Sequence, residues 1–465
     1  MNGLPLLGHA SLDDIFAWRP TGSVRVRDFL AEVEALAALL PPGKNLLNVC
    51  QDRYRFTVGF AAGLISGKTS LQPASQSTET LRQIESAYPD LVCLCDDDFD
   101  TLDLPRLDFP VHPSHQEYLL QGKASPQAGK AAVNAEKVAK IPVIPAEQIA
   151  ACLFTSGSTG RPAPHHKTWG RLVRSAHAEA SRLGLLTQSH SIVGTVPPQH
   201  SYGFESTVLL ALHGNAPFWS GRPFYPQDIV CSLAAVPPPR LLVTTPFHLS
   251  ALLAAGLDTP AVDLLLSATA PLSSQLAAEA ESRFSAPLLE IYGSTESGQL
   301  ASRRTTAGPT WKLLADLQFE QTDDLTIAFG GHVEGRVPLS DIIEIIDEQH
   351  FLLHGRHADM VNIAGKRTSL AYLNHQIAAI PGVVDATFFL PDDKTPDAIT
   401  RLAAFVVAPG LNKQQLIAAL RQRVDPIFLP RPLVLLDKLP RNSTGKLPRS
   451  QLQTLYTATL KHAKR

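Results

Sequence analysis

No uninterrupted apolar stretch in this chain approaches the roughly 18 residues that a membrane-spanning helix needs. The opening MNGLPLLGHASLDDIF has no basic segment followed by an apolar one, so no secretory leader is expected and a cytoplasmic location is. Charge excess is missing too. Lys and Arg number 41 against 43 Asp and Glu, a formal net charge of -2, which excludes whole-molecule attraction to nucleic acid or anionic lipid. Cysteine is scarce and odd in number: Cys50, Cys93, Cys95, Cys152 and Cys231 are scattered over 465 residues, which points to reduced thiols rather than a disulfide framework. Cys93 and Cys95 form a CxC within DLVCLCDDD. On a strand both face one way, but no second ligand pair follows at a metal-site spacing, so they are expected to be core.

What is present fits a large folded chain. A hydrophobic share of 44% and a charged share of 18% belong to a globular protein, and the length allows more than one domain. Short β-rich runs (LLNVC, DLVCLC, SIVGTV, RLLVTT, DLLLSA) alternate with helix-like stretches such as SSQLAAEAESRF. That alternation predicts an α/β architecture of mostly parallel sheets covered by helices, and near-continuous apolar strands predict cover on both faces. QGKASPQAGKAAVNAEKVAK is expected to be an exposed connection or surface helix without chemistry. Towards the C-terminus, IIEIIDEQHFLLHGR predicts a hairpin leading into the polar HADMVNIAGKR. After it, SLAYLNHQIAAI, VVDATFFL, LAAFVVA and KQQLIAALRQRV form a compact α+β unit. About 100 residues suffice for a small domain. The division is placed between a large domain, 1–356, and a small one, 357–465.

Four segments carry candidate chemistry. Thr155-Ser156-Gly157-Ser158-Thr159-Gly160 follows the apolar run IAACLF. Its glycines permit a tight loop with inward N–H groups, and its hydroxyls add donors, a combination able to wrap nucleotide phosphates. GxxxxGK[ST] is absent, so it is not a Walker A loop, and a flexible Ser/Gly turn stays open as an alternative. In Glu290-Ile291-Tyr292-Gly293-Ser294-Thr295-Glu296-Ser297-Gly298, a strand end meets a turn. Tyr292 can stack on a purine and Glu296 can ligate Mg²⁺ through oxygen, or the segment is an ordinary turn with a solvated glutamate. Asp341 can accept from ribose hydroxyls, and Arg356, fifteen residues on, can donate to ribose or phosphate. Taken separately, each is more often a surface charge. Leu439-Pro440-Arg441-Asn442-Ser443-Thr444-Gly445-Lys446 can present an ammonium at a loop tip, or be a basic tail.

Together TSGSTGRP, YGSTE, GRHADMVNIAGKR and LPRNSTGKLPR, in this order, resemble the adenylate-forming superfamily of acyl- and aryl-CoA synthetases, peptide-synthetase adenylation domains and luciferases. The resemblance runs from about residue 40 to 455. It implies a large N-terminal domain of stacked sheets that binds ATP and the acid, and a small mobile C-terminal domain carrying Lys446. The activity implied is ATP-dependent conversion of a carboxylic acid to an acyl-adenylate with release of pyrophosphate, followed by transfer to a thiol. By resemblance, Thr155 to Gly160 hold phosphate, and Ala270, Tyr292 and Gly293 flank adenine. Thr295 and Glu296 serve the α-phosphate and Mg²⁺, Asp341 and Arg356 bind ribose, and Lys446 is the catalytic lysine. Pro197-Pro198-Gln199-His200-Ser201-Tyr202-Gly203 resembles the family's acid-site segment, with His200 as a gate. His200, Tyr202, Gly203, Phe204, Ala268 and Ser297 are the implied acid pocket, with core packing of the rings the alternative.

Three positions depart from the family pattern. Ala163 replaces the basic residue usual after the phosphate loop, with Lys167 a few residues on. Ala358 stands at the hinge position, where Asp or Lys is usual. Ser369-Leu370-Ala371-Tyr372 replaces an acidic stretch. PQHSYGFESTVLLAL resembles hydroxyaryl-acid ligases, and the compact length with PHHKTWG resembles aryl-acid ligases of aryl-polyene pigment pathways. A hydroxybenzoate-like acid is the expected substrate, with CoA or the phosphopantetheine of an acyl carrier protein as acceptor. A short- or medium-chain fatty-acid ligase, or a catalytically weakened adenylate-binding regulator, are the alternatives.

Overall fold

The computed structural model describes residues 3–73, 78–96, 105–109, 140–156, 162–269, 271–322, 325–356, 360–363, 366–391, 401–441 and 447–463. The chain divides into two compact units: Met1–Pro223 with Cys231–Arg240, and Phe224–Val230 with Leu241–Arg465. The architecture is the expected α/β, sheet-dominated towards the N-terminus with a smaller C-terminal part.

In the first unit, six strands pair in the order Pro162–Thr168, Ile149–Ser156, Thr69–Pro73, Asn45–Asn48, Leu91–Cys95, Arg106–Asp108. All neighbours run parallel except the hairpin at one edge, Ile149–Ser156 against Pro162–Thr168. All five residues of Leu91–Cys95 are buried, as a strand covered on both faces requires. Cys93, Cys95 and Cys152 sit in one apolar cluster with Leu47, Leu71 and Phe154. Burial pushes the Cys93 thiol up to about 12 and those of Cys95 and Cys152 up to about 11. The CxC is therefore sheet core, as its lone spacing suggested.

Helix Arg53–Ile65 packs on this sheet. Asp52 caps it by accepting from the Arg55 amide at 2.9 Å, the ordinary way to satisfy a first-turn N–H. It is buried along nearly its whole length, so Arg53 in the first turn is buried too. A second strand set in this unit, Ser191–Gly194, Phe218–Trp219, Ile15–Arg19 and Gly22–Arg25, leads into the segment starting at Pro197.

In the second unit, Arg240–Thr244, Leu264–Ser267 and Leu288–Ser294 run parallel. Gly298–Arg304, Trp311–Leu313, His350–Arg356 and Asp341–Ile345 then extend that order antiparallel. The last two form the hairpin expected from IIEIIDEQHFLLHGR. Beyond it, Leu370–Ala378, Asp385–Phe389, Ala403–Val407 and Lys413–Arg421 are the helix, strand, strand and helix anticipated. Leu373, Ile377, Phe388, Ala404, Leu416 and Leu420 give this region its own apolar core. Among the described residues no helix is long and apolar enough to cross a membrane. The Ala/Lys/Gln-rich run within 121–140 falls, but for Lys140, outside the described residues.

Candidate active site

The first unit contributes the hairpin that flanks the expected phosphate loop. Ser156 pairs with Pro162 and Thr155 with Ala163, so residues 157–161 join the two strands. Gly157, Ser158, Thr159 and Gly160 lie outside the described residues. The Thr155 hydroxyl sits 3.0 Å from His165 Nε2 across the hairpin. Lys167 does not make good the missing basic residue at the loop: it is buried far down the strand, opposite Ala151.

The expected acid segment lies in the same unit. His200 caps a short helix, Ser201–Gly203, with its Nδ1 accepting from the Tyr202 amide at 3.3 Å. That fixes the imidazole tautomer, with the proton on the other nitrogen. Gly203 is obligatory, because a Cβ there would collide with the Pro197 carbonyl. Phe204 is fully buried, edge-on to Phe60 with ring centroids 5.1 Å apart, so its ring packs into the interior. From Phe204 to Leu209 the helix widens to the looser i→i+5 spacing, a local insertion that recurs at functional sites. Glu205 is buried in that widened turn. Ser201 Oγ donates to it at 2.6 Å and Ser175 Oγ at 3.4 Å. No sequence periodicity announces such a bulge.

The second unit holds the remaining candidates. Tyr292 donates its hydroxyl to Asp341 Oδ2 at 2.9 Å. Its ring packs against Trp311 and Phe351, each 5.7 Å away between centroids. Asp341 is in register with Arg356 on the neighbouring strand, so three residues distant in sequence come together. Gly293 admits no side chain, because a Cβ would strike the Gly298 carbonyl. Thr295 and Glu296 occupy the turn that joins Ser294 to its partner Gly298. Ser294 and Ser297 brace that turn: each amide donates to the other's hydroxyl at 3.2 Å. Ser297 Oγ donates to the Gly298 carbonyl at 2.9 Å, so this hydroxyl is spent on the turn. Ala270, Ala358 and Lys446 lie outside the described residues.

Beside Ala270 the backbone is strained. Thr269 adopts φ 78°, a conformation non-glycine residues rarely hold. The hydroxyls of Thr269 and Ser267 are buried with no hydrogen-bond partner among the described residues. Unsatisfied buried hydroxyls next to a strained turn suit a polar ligand such as a nucleotide base. The Glu296 turn offers oxygen donors only. Among the described residues no group of three or more His, Cys, Asp or Glu can hold a metal alone. Mg²⁺ takes one or two carboxylates and fills its octahedron with water and substrate phosphate, so the Glu296 carboxylate is of the kind that could hold it.

Glu290 and Arg303 were not singled out by sequence. Glu290 accepts from Arg303 Nε at 2.8 Å and Nη2 at 2.7 Å, from Thr305 Oγ1 at 3.0 Å, and from the Leu272 amide at 3.1 Å. The Arg303 guanidinium also lies 4.4 Å over the Trp311 ring, and Trp311 backs Tyr292. One buried carboxylate thus ties the turn after Thr269 to the strand that carries Tyr292. The available signal was a cross-strand pair of opposite charge, Glu290 opposite Arg303, two residues from Tyr292 and on its face.

Residues 26–326 match the AMP-binding enzyme family, and residues 374–446 match the AMP-binding enzyme C-terminal domain. This chain belongs to the AMP-binding enzyme family. The 4-coumarate–CoA ligase of Rhodobacter capsulatus is 28% identical over 280 residues, covering 60% of this chain and 68% of that protein. The long-chain-fatty-acid–CoA ligase FadD13 of Mycobacterium tuberculosis is 32% identical over 123 residues, 26% of this chain and 24% of that one. ATP-bound MatB from Rhodopseudomonas palustris superposes with a TM-score of 0.78 at 18% identity, over 96% of this chain and 97% of that one, a likeness of fold. This AMP-binding enzyme is thus an acid–thiol ligase of the adenylate-forming acyl- and aryl-CoA ligase type, as its four motifs implied.

Proposed function

We propose that this AMP-binding enzyme activates a hydroxybenzoate-like aryl acid as its adenylate, then passes the acyl group to the thiol of CoA or of a carrier-bound phosphopantetheine. The observation that carries the aryl assignment is the extended similarity to a 4-coumarate–CoA ligase, 280 residues long.

The chemistry requires a carboxylate to attack the α-phosphorus of ATP, so two anions must be brought together. Asp341, oriented by the Tyr292 hydroxyl, would accept from the ribose, with Arg356 beside it in register. The Tyr292 ring, backed by Trp311 and Phe351, would flank adenine across from Ala270. Thr155 to Gly160 would hold the outer phosphates, and Thr295 the α-phosphate. Glu296 would hold Mg²⁺, which when bound neutralises phosphate charge. Lys446, on a mobile domain of residues 357–465 hinged at Ala358, would add a second cation as the phosphorus gains its fifth oxygen. His200, Tyr202, Gly203, Ala268 and Ser297 would bound the acid. Five free thiols suit a reducing, cytoplasmic setting.

The shorter match to FadD13, 32% identical over 123 residues, favours a second reading, a fatty-acid ligase. Trapping adenylates from a panel of carboxylic acids with ATP but no thiol, and weighing them by mass spectrometry, separates the two. Aryl adenylates are expected. Only aliphatic adenylates would establish the second reading. No adenylate from any acid would leave a weakened regulatory relative, the reading that Ala163 and Ala358 motivate and that Glu296 and Lys446 oppose.

A further inference from the structure

Arg53 is fully buried in the first turn of helix Arg53–Ile65. Its Nη2 donates to two carbonyls, Gly194 and Val196, each at 2.9 Å. The guanidinium lies so close to Gly194 that a Cβ there would stand 2.9 Å from Nη2 and 3.1 Å from Cζ. Its Nε and Nη1 have no partner among the described residues, and no carboxylate there forms an ion pair with it. Neighbouring Asp52 is occupied as the helix cap. Asp96 accepts from the Gln51 and Asp52 amides at 2.7 and 2.9 Å. The Asp52 carboxylate attracts the Arg53 guanidinium at longer range, and Arg222 opposes it with a smaller repulsion. Burial pushes the Arg53 guanidinium down to about 10, which still leaves it charged at neutral pH.

Tying two carbonyls does not need a charge. A neutral amide does the equivalent job from the other side, where Gln199 Nε2 donates to the Cys50 carbonyl at 2.5 Å. A desolvated guanidinium with spare donors and no carboxylate in direct contact among the described residues is costly unless a further anion is meant to feel it. The two carbonyls it holds lead straight into Pro197–Gly203. Val196 precedes His200 by four residues, a reach of at most about 15 Å.

We infer that Arg53 is a charge-balancing positioning residue for the substrate carboxylate: it fixes the strand end that carries the His200 segment and supplies the buried positive charge that an acid there requires. The inference rests on the assignment of Pro197–Gly203 to the acid. Its chemical class is narrow: an anionic carboxylate is favoured over an isosteric neutral amide. For a carboxylate bound about 10–15 Å from the guanidinium, at an effective dielectric near 20, one unit charge would alter affinity about tenfold.

The test is calorimetric titration of the full-length protein with 4-hydroxybenzoate, 4-hydroxybenzamide, octanoate and octanamide. Arg53→Gln and Arg53→Met are expected to weaken binding of the accepted carboxylate about tenfold and leave its amide within twofold. Arg53→Lys is expected to stay within about threefold of the parent. Equal losses for acid and amide would reduce Arg53 to a mere clamp and overturn the inference, as would an unchanged carboxylate affinity in Arg53→Gln. If the neutral variants do not fold, the parent protein decides: binding the amide as tightly as the acid refutes it. Binding of octanoate but not 4-hydroxybenzoate would reject the aryl assignment alone, and the Arg53 comparison would then be read on octanoate. No carboxylate binding at all would remove both.

Discussion

Replacing Glu290 with alanine removes the acceptor for Arg303, Thr305 and the Leu272 amide in one step. The Glu290 and Arg303 side chains are 6% and 18% exposed, so water screens the pair little. Removing one partner of such a pair leaves an uncompensated charge and costs about 3–5 kcal/mol. The Trp311 face, 4.4 Å from the guanidinium, recovers part of that. For a unit of about 230 residues, each kcal/mol lowers Tm by about 2–4 °C, so a fall near 10 °C is expected. Scanning calorimetry gives the stability, and equilibrium dialysis with ATP gives the site's response. The turn at Thr269–Leu272 loses its anchor, so ATP affinity is expected to fall along with Tm. Glu290→Ala combined with Arg303→Met removes both charges and is expected to be less destabilised than the sum of the single changes by more than 1 kcal/mol. A single-variant cost below about 1 kcal/mol, or strict additivity of the two, would refute the reasoning.

Other consequences are simpler. Tyr292→Phe removes only the hydroxyl that orients Asp341, worth about 1.5–3 kcal/mol as a bond to a charged group, so KM for ATP is expected to rise at least tenfold in pyrophosphate exchange. Burial, with the His177 and His9 rings nearby, lowers His213 to about 3, well below an unfolded histidine. The unfolded chain then binds the extra proton, so stability present above pH ~6.5 is lost as pH falls towards 3, by about 1.4 kcal/mol per unit. In urea titrations, His213→Phe is expected to flatten that slope. Cys231 is exposed and the other four thiols are buried, so a chromogenic disulfide at pH 8 is expected to titrate one thiol in the native protein and five after denaturation.

The fold was legible wherever one periodicity dominated. LVCLC, SIVG and LLLS read as strands because every residue is apolar or small, and each is fully buried. The hairpin at Asp341–Arg356 was legible from its two apolar runs around a polar turn. At the site, Tyr292, Asp341 and Arg356 were individually plausible, yet only their shared sheet brings them together. Glu290 was passed over because a glutamate in a strand looks like a solvated charge until its partner, Arg303, is placed opposite. Phe204 was equally open to pocket or core, and the ring packs on Phe60. The widened turn at Phe204–Leu209 and the left-handed Thr269 are tertiary outcomes that no local pattern encodes. Arg53 is the extreme case, since an arginine in a helix's first turn gives no hint that the whole turn is buried.

The proposed activity requires an acid to attack the α-phosphorus of ATP with help from Lys446. Acid-dependent exchange of labelled pyrophosphate into ATP, measured for the parent chain and for Lys446→Ala, tests it most directly. Exchange should depend on an added hydroxyaryl acid and fall about 10²–10³-fold in the variant. Full exchange without the lysine, or none with any carboxylic acid, would contradict it.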